Sequence, residues 1–98
     1  MITRIVKMTF KEEHINDFLN YFPEIVDRIR NQEGCNHVDL LHDVSDPRIF
    51  FTYSKWDSEK HLNAYRDSEL FGQVWPKVKK WFDAKPEAWS VLSVEQEL

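Results

Sequence analysis

His61 and Tyr65 stand four residues apart in Glu59-Lys60-His61-Leu62-Asn63-Ala64-Tyr65, so on a helix they share a face, with Leu62 beside them. An imidazole, with an ordinary pKa of about 6.5, can take a proton or donate a hydrogen bond near neutral pH. A phenol one turn away adds a second polar contact. These two are the candidate catalytic pair of the chain. The plainer reading is that Leu62 and Tyr65 anchor the helix while His61 packs at its edge. Around them the sequence is rich in rings. Phe51, Tyr53, Phe71 and Trp75 are the candidate walls of a pocket for a flat, apolar or aromatic molecule, and Tyr65, Trp81 and Trp89 are further rings that could line it. For any single ring, core or interface packing is the simpler role.

Other chemistries lack their residues. His37 and His42 lie an odd number of residues apart on one predicted strand and face opposite ways, so strand geometry does not bring them to one metal. Glu12-Glu13-His14 stands at a helix start, where acidic groups answer the dipole. No metal is expected. Cys35 is the only cysteine and follows Gly34 near a helix end, so neither a disulfide within the chain nor a dipole-activated thiolate is expected. No serine sits in a glycine-flanked elbow. With two glycines in all, Gly34 and Gly72, no phosphate cradle or dinucleotide fingerprint can form.

Composition narrows the class further. The 98 residues suit one domain spanning the chain, and 42% hydrophobic and 14% aromatic content can fill a core. A net charge of −4 with dispersed Lys and Arg disfavours nucleic acid. Lys77, Lys79 and Lys80 interleave with Val78, Trp81 and Phe82 as the wet side of a helix. No run reaches membrane-spanning length, the first residues lack a secretory core, and a reducing cytoplasmic setting is the default.

Residues 2–10 predict a first strand, with Ile2, Val6, Met8 and Phe10 alternating against Thr3, Lys7 and Thr9. Ile15, Phe18, Leu19, Phe22, Ile25, Val26 and Ile29 trace one helical stripe, with a kink expected at Pro23 and an end before Gly34. Residues 36–43 and 48–56 predict two strands of an antiparallel hairpin across the Ser45-Asp46-Pro47 turn. Ser58 or Asp57 caps a short helix through Arg66, and Ser68 caps another that carries Leu70 to Phe82 and breaks or bends at Pro76. Residues 88–96 predict a last strand.

That order, βαββαβ, is the split βαβ pattern of a ferredoxin-like α+β domain with a four-stranded antiparallel sheet. The third strand carries large groups on both faces: Ile49, Phe51 and Tyr53 on one, Phe50 and Trp56 on the other. Helices cover one face. The other needs a partner, and a homodimer through the sheet faces is the economical cover.

Glu33-Gly34-Cys35, Leu41, Asp43, Phe50-Phe51-Thr52-Tyr53-Ser54-Lys55-Trp56, His61-Leu62, Tyr65, Ser68 and Phe71 resemble, in order and spacing, the antibiotic biosynthesis monooxygenase family. The resemblance runs from Glu33 to Trp75 and marks the fold more sharply than the activity. It implies a ferredoxin-like domain whose sheets pair into a dimeric α+β barrel. It also implies oxidation of a quinol or polycyclic aromatic by oxygen with no cofactor, and it matches His61 to the family's His-Leu signature. Haem-degrading relatives use a first-strand asparagine with a helical tryptophan and histidine; here that strand has no asparagine, and the helical positions are Tyr65 and Trp75. Two functions follow as expectations: a cofactor-independent monooxygenase, or a dimeric module that binds a small apolar molecule, as in a stress response, without turning it over.

Overall fold

A computed structural model describes residues 1–97. The chain runs β1 (Ile2–Thr9), a short 3-10 turn (Glu12–His14), α1 (Ile15–Arg30), β2 (Cys35–His42), β3 (Ile49–Trp56), α2 (Glu59–Arg66), α3 (Glu69–Lys79), β4 (Glu87–Val91) and α4 (Val94–Glu97). The strands form one sheet in the order β2-β3-β1-β4, antiparallel throughout. This is the ferredoxin-like α+β fold that the element order predicts.

Strand parity decides which face is dry. Phe50, Ser54 and Trp56 of β3 are buried, as are Met8 of β1 and Val38 of β2, and these face α1, α2 and α3. Phe10 is wholly buried, stacked on Phe18 with ring centroids 4.4 Å apart and edge-on to Phe50 at 5.7 Å. Such aromatic pairs contribute about 0.5–1.5 kcal/mol each beyond their buried area.

The opposite face is bare. Across it the register sets Leu41, Phe51, Lys7 and Glu87 in one row and Asp39, Tyr53, Ile5 and Trp89 in the next. Leu41, Trp89 and Val91 are each at least 40% exposed there, so the unpartnered apolar face foreseen in the sequence is present.

Caps and turns follow the sequence closely. Ser58 Oγ accepts from the His61 amide at 3.3 Å, and Ser68 Oγ from the Phe71 amide at 3.2 Å, so both serines serve as N-caps. In the β2–β3 turn, Asp43 Oδ2 accepts from the amides of Ser45 and Asp46. Arg48 bridges Asp46 at 3.0 Å and Asp83 at 3.1 Å, tying that turn to the segment before β4.

Four local expectations are corrected. Pro76 does not break α3, which runs on to Lys79; the amide it lacks is the one that would reach the Gly72 carbonyl. Pro23, where the sequence expects a kink, stands inside α1, and the amide it lacks is the one that would reach the Leu19 carbonyl. Leu19 itself sits at the wet edge of the stripe, 41% exposed. Trp81 and Phe82 lie beyond α3, because the end of β1 captures the chain: Phe82 bridges Phe10, the Lys11 amide donates to the Trp81 carbonyl at 2.9 Å, and the Asp83 amide donates to the Thr9 carbonyl at 2.8 Å. β4 ends at Val91 rather than residue 96. Val91 pairs with Thr3, and little of β1 remains beyond it to pair with.

Candidate functional site

Between the dry sheet face and the three helices lies a cavity of about 340 Å³, in the range of small-molecule pockets. Val6, Met8, Thr52, Ser54 and Trp56 floor it, and α1 contributes Phe18, Phe22, Ile25 and Ile29. The wall from α2 and α3 is a ladder of rings. Trp56 stacks on Tyr65 at 5.0 Å, Tyr65 meets Phe71 edge-on at 5.3 Å, and Phe71 stacks on Trp75 at 5.8 Å. Trp56 is held in place by its indole N–H, which donates to Ser54 Oγ at 3.0 Å, so the buried serine and the buried indole satisfy each other.

Three of the six residues singled out in the sequence meet here: Tyr65, Phe71 and Trp75 all line the cavity. Phe51 and Tyr53 point the other way, onto the bare sheet face, because they alternate with the buried Phe50 and Ser54. Tyr53 packs there edge-on to His37 at 5.9 Å.

His61 lies one turn before Tyr65, at the start of α2 and outside the cavity lining. Its Nδ1 is 2.8 Å from Ser58 Oγ, and its Nε2 is 3.9 Å from the well-exposed Glu33 carboxylate. The His61 side chain lies against Gly34, which has φ +81° and leaves no room there for a Cβ. Gly34 in turn accepts the Asp57 amide at 2.8 Å and the Asn36 side chain at 3.1 Å. His61 therefore ties the start of α2 to the α1–β2 turn.

Arg4 and Arg66 went unremarked in the sequence, and both line the cavity. Their signals were periodicity. Arg4 shares strand parity with Ile2, Val6 and Met8, a charged residue on the apolar face. Arg66 follows Leu62 by four residues on α2. Arg4 Nη1 donates to Ser90 Oγ at 2.9 Å, and burial, then the nearby Arg66 charge, hold its guanidinium below the usual arginine range.

Burial, with a smaller contribution from Cys35, pushes the Tyr65 phenol up to about 12. It is a proton holder and hydrogen-bond donor across ordinary pH. Among the described residues its hydroxyl has no hydrogen-bond partner, and no polar side-chain atom is both sealed from solvent and unpartnered. The hydroxyl is thus free to meet a ligand. A folded-state value above the unfolded value of 10 means the unfolded chain loses this proton first. Stability should therefore fall as pH rises from about 10 to about 12, by roughly 2–3 kcal/mol. Urea unfolding of Tyr65→Phe over the same range should lack that component; an identical alkaline loss in the variant would contradict it.

Burial also pushes the Cys35 thiol up, which suits a packing residue rather than a nucleophile. Among the described residues no group of three His, Cys, Asp or Glu side chains converges as a metal site, and no helix is long and apolar enough to cross a membrane.

Solved structures share this architecture. One described as an antibiotic biosynthesis monooxygenase superposes with a TM-score of 0.89 at 23% identity, over 96% of this chain and 99% of that one. A conserved protein from Methanosarcina mazei Go1 gives 0.86 at 22% identity, over 93% and 91%. A Pseudomonas aeruginosa protein gives 0.83 at 18% identity, over 95% and 93%. At these identities the likeness carries the fold. No curated protein sequence matches the chain. The family model described as antibiotic biosynthesis monooxygenase matches residues 1–76, more than half of the sequence, and the chain belongs to that family.

Proposed function

We propose that the chain is a monooxygenase that oxidises a small aromatic, quinol-type molecule in the cavity between helices and sheet. The observation that carries this reading is the apolar cavity of about 340 Å³ with Tyr65 on its ring-lined wall. Phe71 and Trp75 hold the substrate ring by stacking, and Tyr65 donates to an oxygen on it. The substrate is itself the reductant. On an anthrone-type ring, a CH2 loses two hydrogens and gains one oxygen atom, while the second atom of O2 leaves as water with those two hydrogens. His61, which does not border the cavity, acts in this reading as a positioning residue: through Ser58 and Gly34 it sets the helix that presents Tyr65.

One observation favours a second reading, binding without turnover. The ionisable side chains lining the cavity are Arg4, Tyr65 and Arg66, and none is a base poised near neutral pH. An oxygen electrode separates the two. With anthrones and quinols, the monooxygenase reading predicts substrate-dependent oxygen uptake, reduced at least tenfold in Tyr65→Phe. Saturable binding of the same compounds with no uptake would move the assignment to a binding module.

The bare sheet face belongs to the same proposal, as the interface of a homodimer. Stable interfaces bury on the order of 1,000 Å² or more, and a whole sheet face supplies an area of that kind. Sedimentation at micromolar concentration should give a dimer, and Trp89→Glu should shift it to monomer. A well-folded monomer in the unsubstituted chain would contradict the interface.

A further inference from the structure

The cavity floor is not uniformly apolar. Two cross-strand rows run through it, Leu40, Thr52, Val6, Ala88 and Val38, Ser54, Arg4, Ser90, of which all but Leu40 and Ser90 line the cavity. The second row brings a guanidinium and the Ser54 hydroxyl to a cavity walled largely by rings and aliphatic side chains. Arg4 is held by a neutral partner alone, Ser90, and Arg66 stands exposed at the C-terminal end of α2, on the same cavity. Among the described residues neither arginine has a carboxylate within 4.0 Å, whereas Arg30 and Arg48 each do. Placing a second positive charge near a partly buried first one is unfavourable unless an anion joins them. Nothing in the core packing requires an arginine at position 4, where strand parity calls for an apolar side chain.

We propose that Arg4 and Arg66 together form the anion-binding end of the cavity, and that its ligand is a ring-bearing carboxylate. The guanidinium fork matches a planar carboxylate with two parallel hydrogen bonds, and a second guanidinium at the mouth can take the outer oxygen. The ring then lies away from the charge, among Tyr65, Phe71 and Trp75. Arg4 inside and Arg66 at the entrance act at different depths, so a carboxylate arriving from solvent meets Arg66 first. The proposal rests on the cavity being the ligand site and adds the class of molecule it selects.

Calorimetric titration with 1-naphthoate and its neutral isostere 1-naphthamide tests it, on the full chain and on Arg4→Gln and Arg66→Gln. Arg66 is exposed, so its substitution leaves the fold intact even if that of Arg4 does not, and circular dichroism checks both. The expected result is naphthoate bound at least tenfold tighter than naphthamide, with the preference falling several-fold or more in each folded variant and weakening at 0.5 M salt, a concentration at which charges are screened over about 4 Å. Equal binding of acid and amide overturns the carboxylate proposal and leaves the apolar cavity as the site. A preference that survives both substitutions overturns the role of the arginines. Binding of neither compound overturns the carboxylate proposal and counts against the cavity reading as well.

Discussion

Gly34→Ala should destabilise the protein by about 2–5 kcal/mol, a large share of the 5–15 kcal/mol typical of a folded domain. Two costs add. Gly34 has φ +81°, a left-handed conformation that a Cβ disfavours by about 1–2 kcal/mol. The new Cβ would also stand 2.6 Å from His61 Cδ2 and closer still to Cγ, well inside contact distance. His61 cannot easily swing aside, because Ser58 holds its Nδ1 at 2.8 Å. The overlap should cost about 1–3 kcal/mol, in the range of overpacked cores. The Cβ of His61 would itself stand 2.5 Å from the new methyl, and an alanine would keep it, so a double-mutant cycle with His61→Gly separates the terms. The glycine removes the overlap and leaves the backbone cost at position 34, so the coupling between the two sites should be about 1–3 kcal/mol by urea unfolding. Additive losses would show that the His61 side chain does not press on the glycine.

The same contact changes what the sequence resemblance means. Glu33-Gly34 and His61-Leu62 are far apart in the chain and touch in the fold. The glycine leaves room for the ring, and Leu62, one residue on, is buried in the core. This pairing holds α2 against the α1–β2 turn and meets the cavity through Leu62, which lines it beside Tyr65 and Arg66.

Much of the fold was legible because its signals are local. Ser58 and Ser68 precede helices whose first amides they cap, and the alternation in β1 and the stripe in α1 are strong enough to place both elements. What was not legible is tertiary. Trp81 and Phe82 continue the apolar spacing of α3, yet pairing with the end of β1 draws them out of it. Residues 92–96 have strand character but little of β1 left to pair with.

The site was half legible for the same reason. β3 carries bulk on both faces, so ring size alone could not say whether Phe50 or Phe51 was inside. Ser54 decides it, since the buried indole of Trp56 needs an acceptor two residues back on its own face. His61 and Tyr65 do share a helical face. One turn is about 5.4 Å of rise, though, and that separates the cavity wall from the turn behind it. Arg4 was visible as a break in alternation, and a charge on the apolar side of a strand was the strongest pointer in the sequence to the cavity's polar end.

The central claim, that the cavity beneath α2 and α3 is where the chemistry or binding takes place, can be tested by filling it from its open side. Ala88 lines the cavity from β4, pairs with Val6 and is exposed, so Ala88→Trp can push an indole over the floor while disturbing the packed core little. A large aromatic is also well tolerated in a strand. The measurement is ligand-dependent oxygen uptake, with calorimetric binding of the same quinol or anthrone in parallel, on the unsubstituted chain, Ala88→Trp, and Tyr53→Ala on the opposite sheet face. The account predicts that Ala88→Trp loses uptake and affinity at least tenfold while its unfolding midpoint stays close to the parent's, and that Tyr53→Ala keeps both. Full binding and uptake in a folded Ala88→Trp, or their loss only in Tyr53→Ala, would place the site elsewhere and contradict the account.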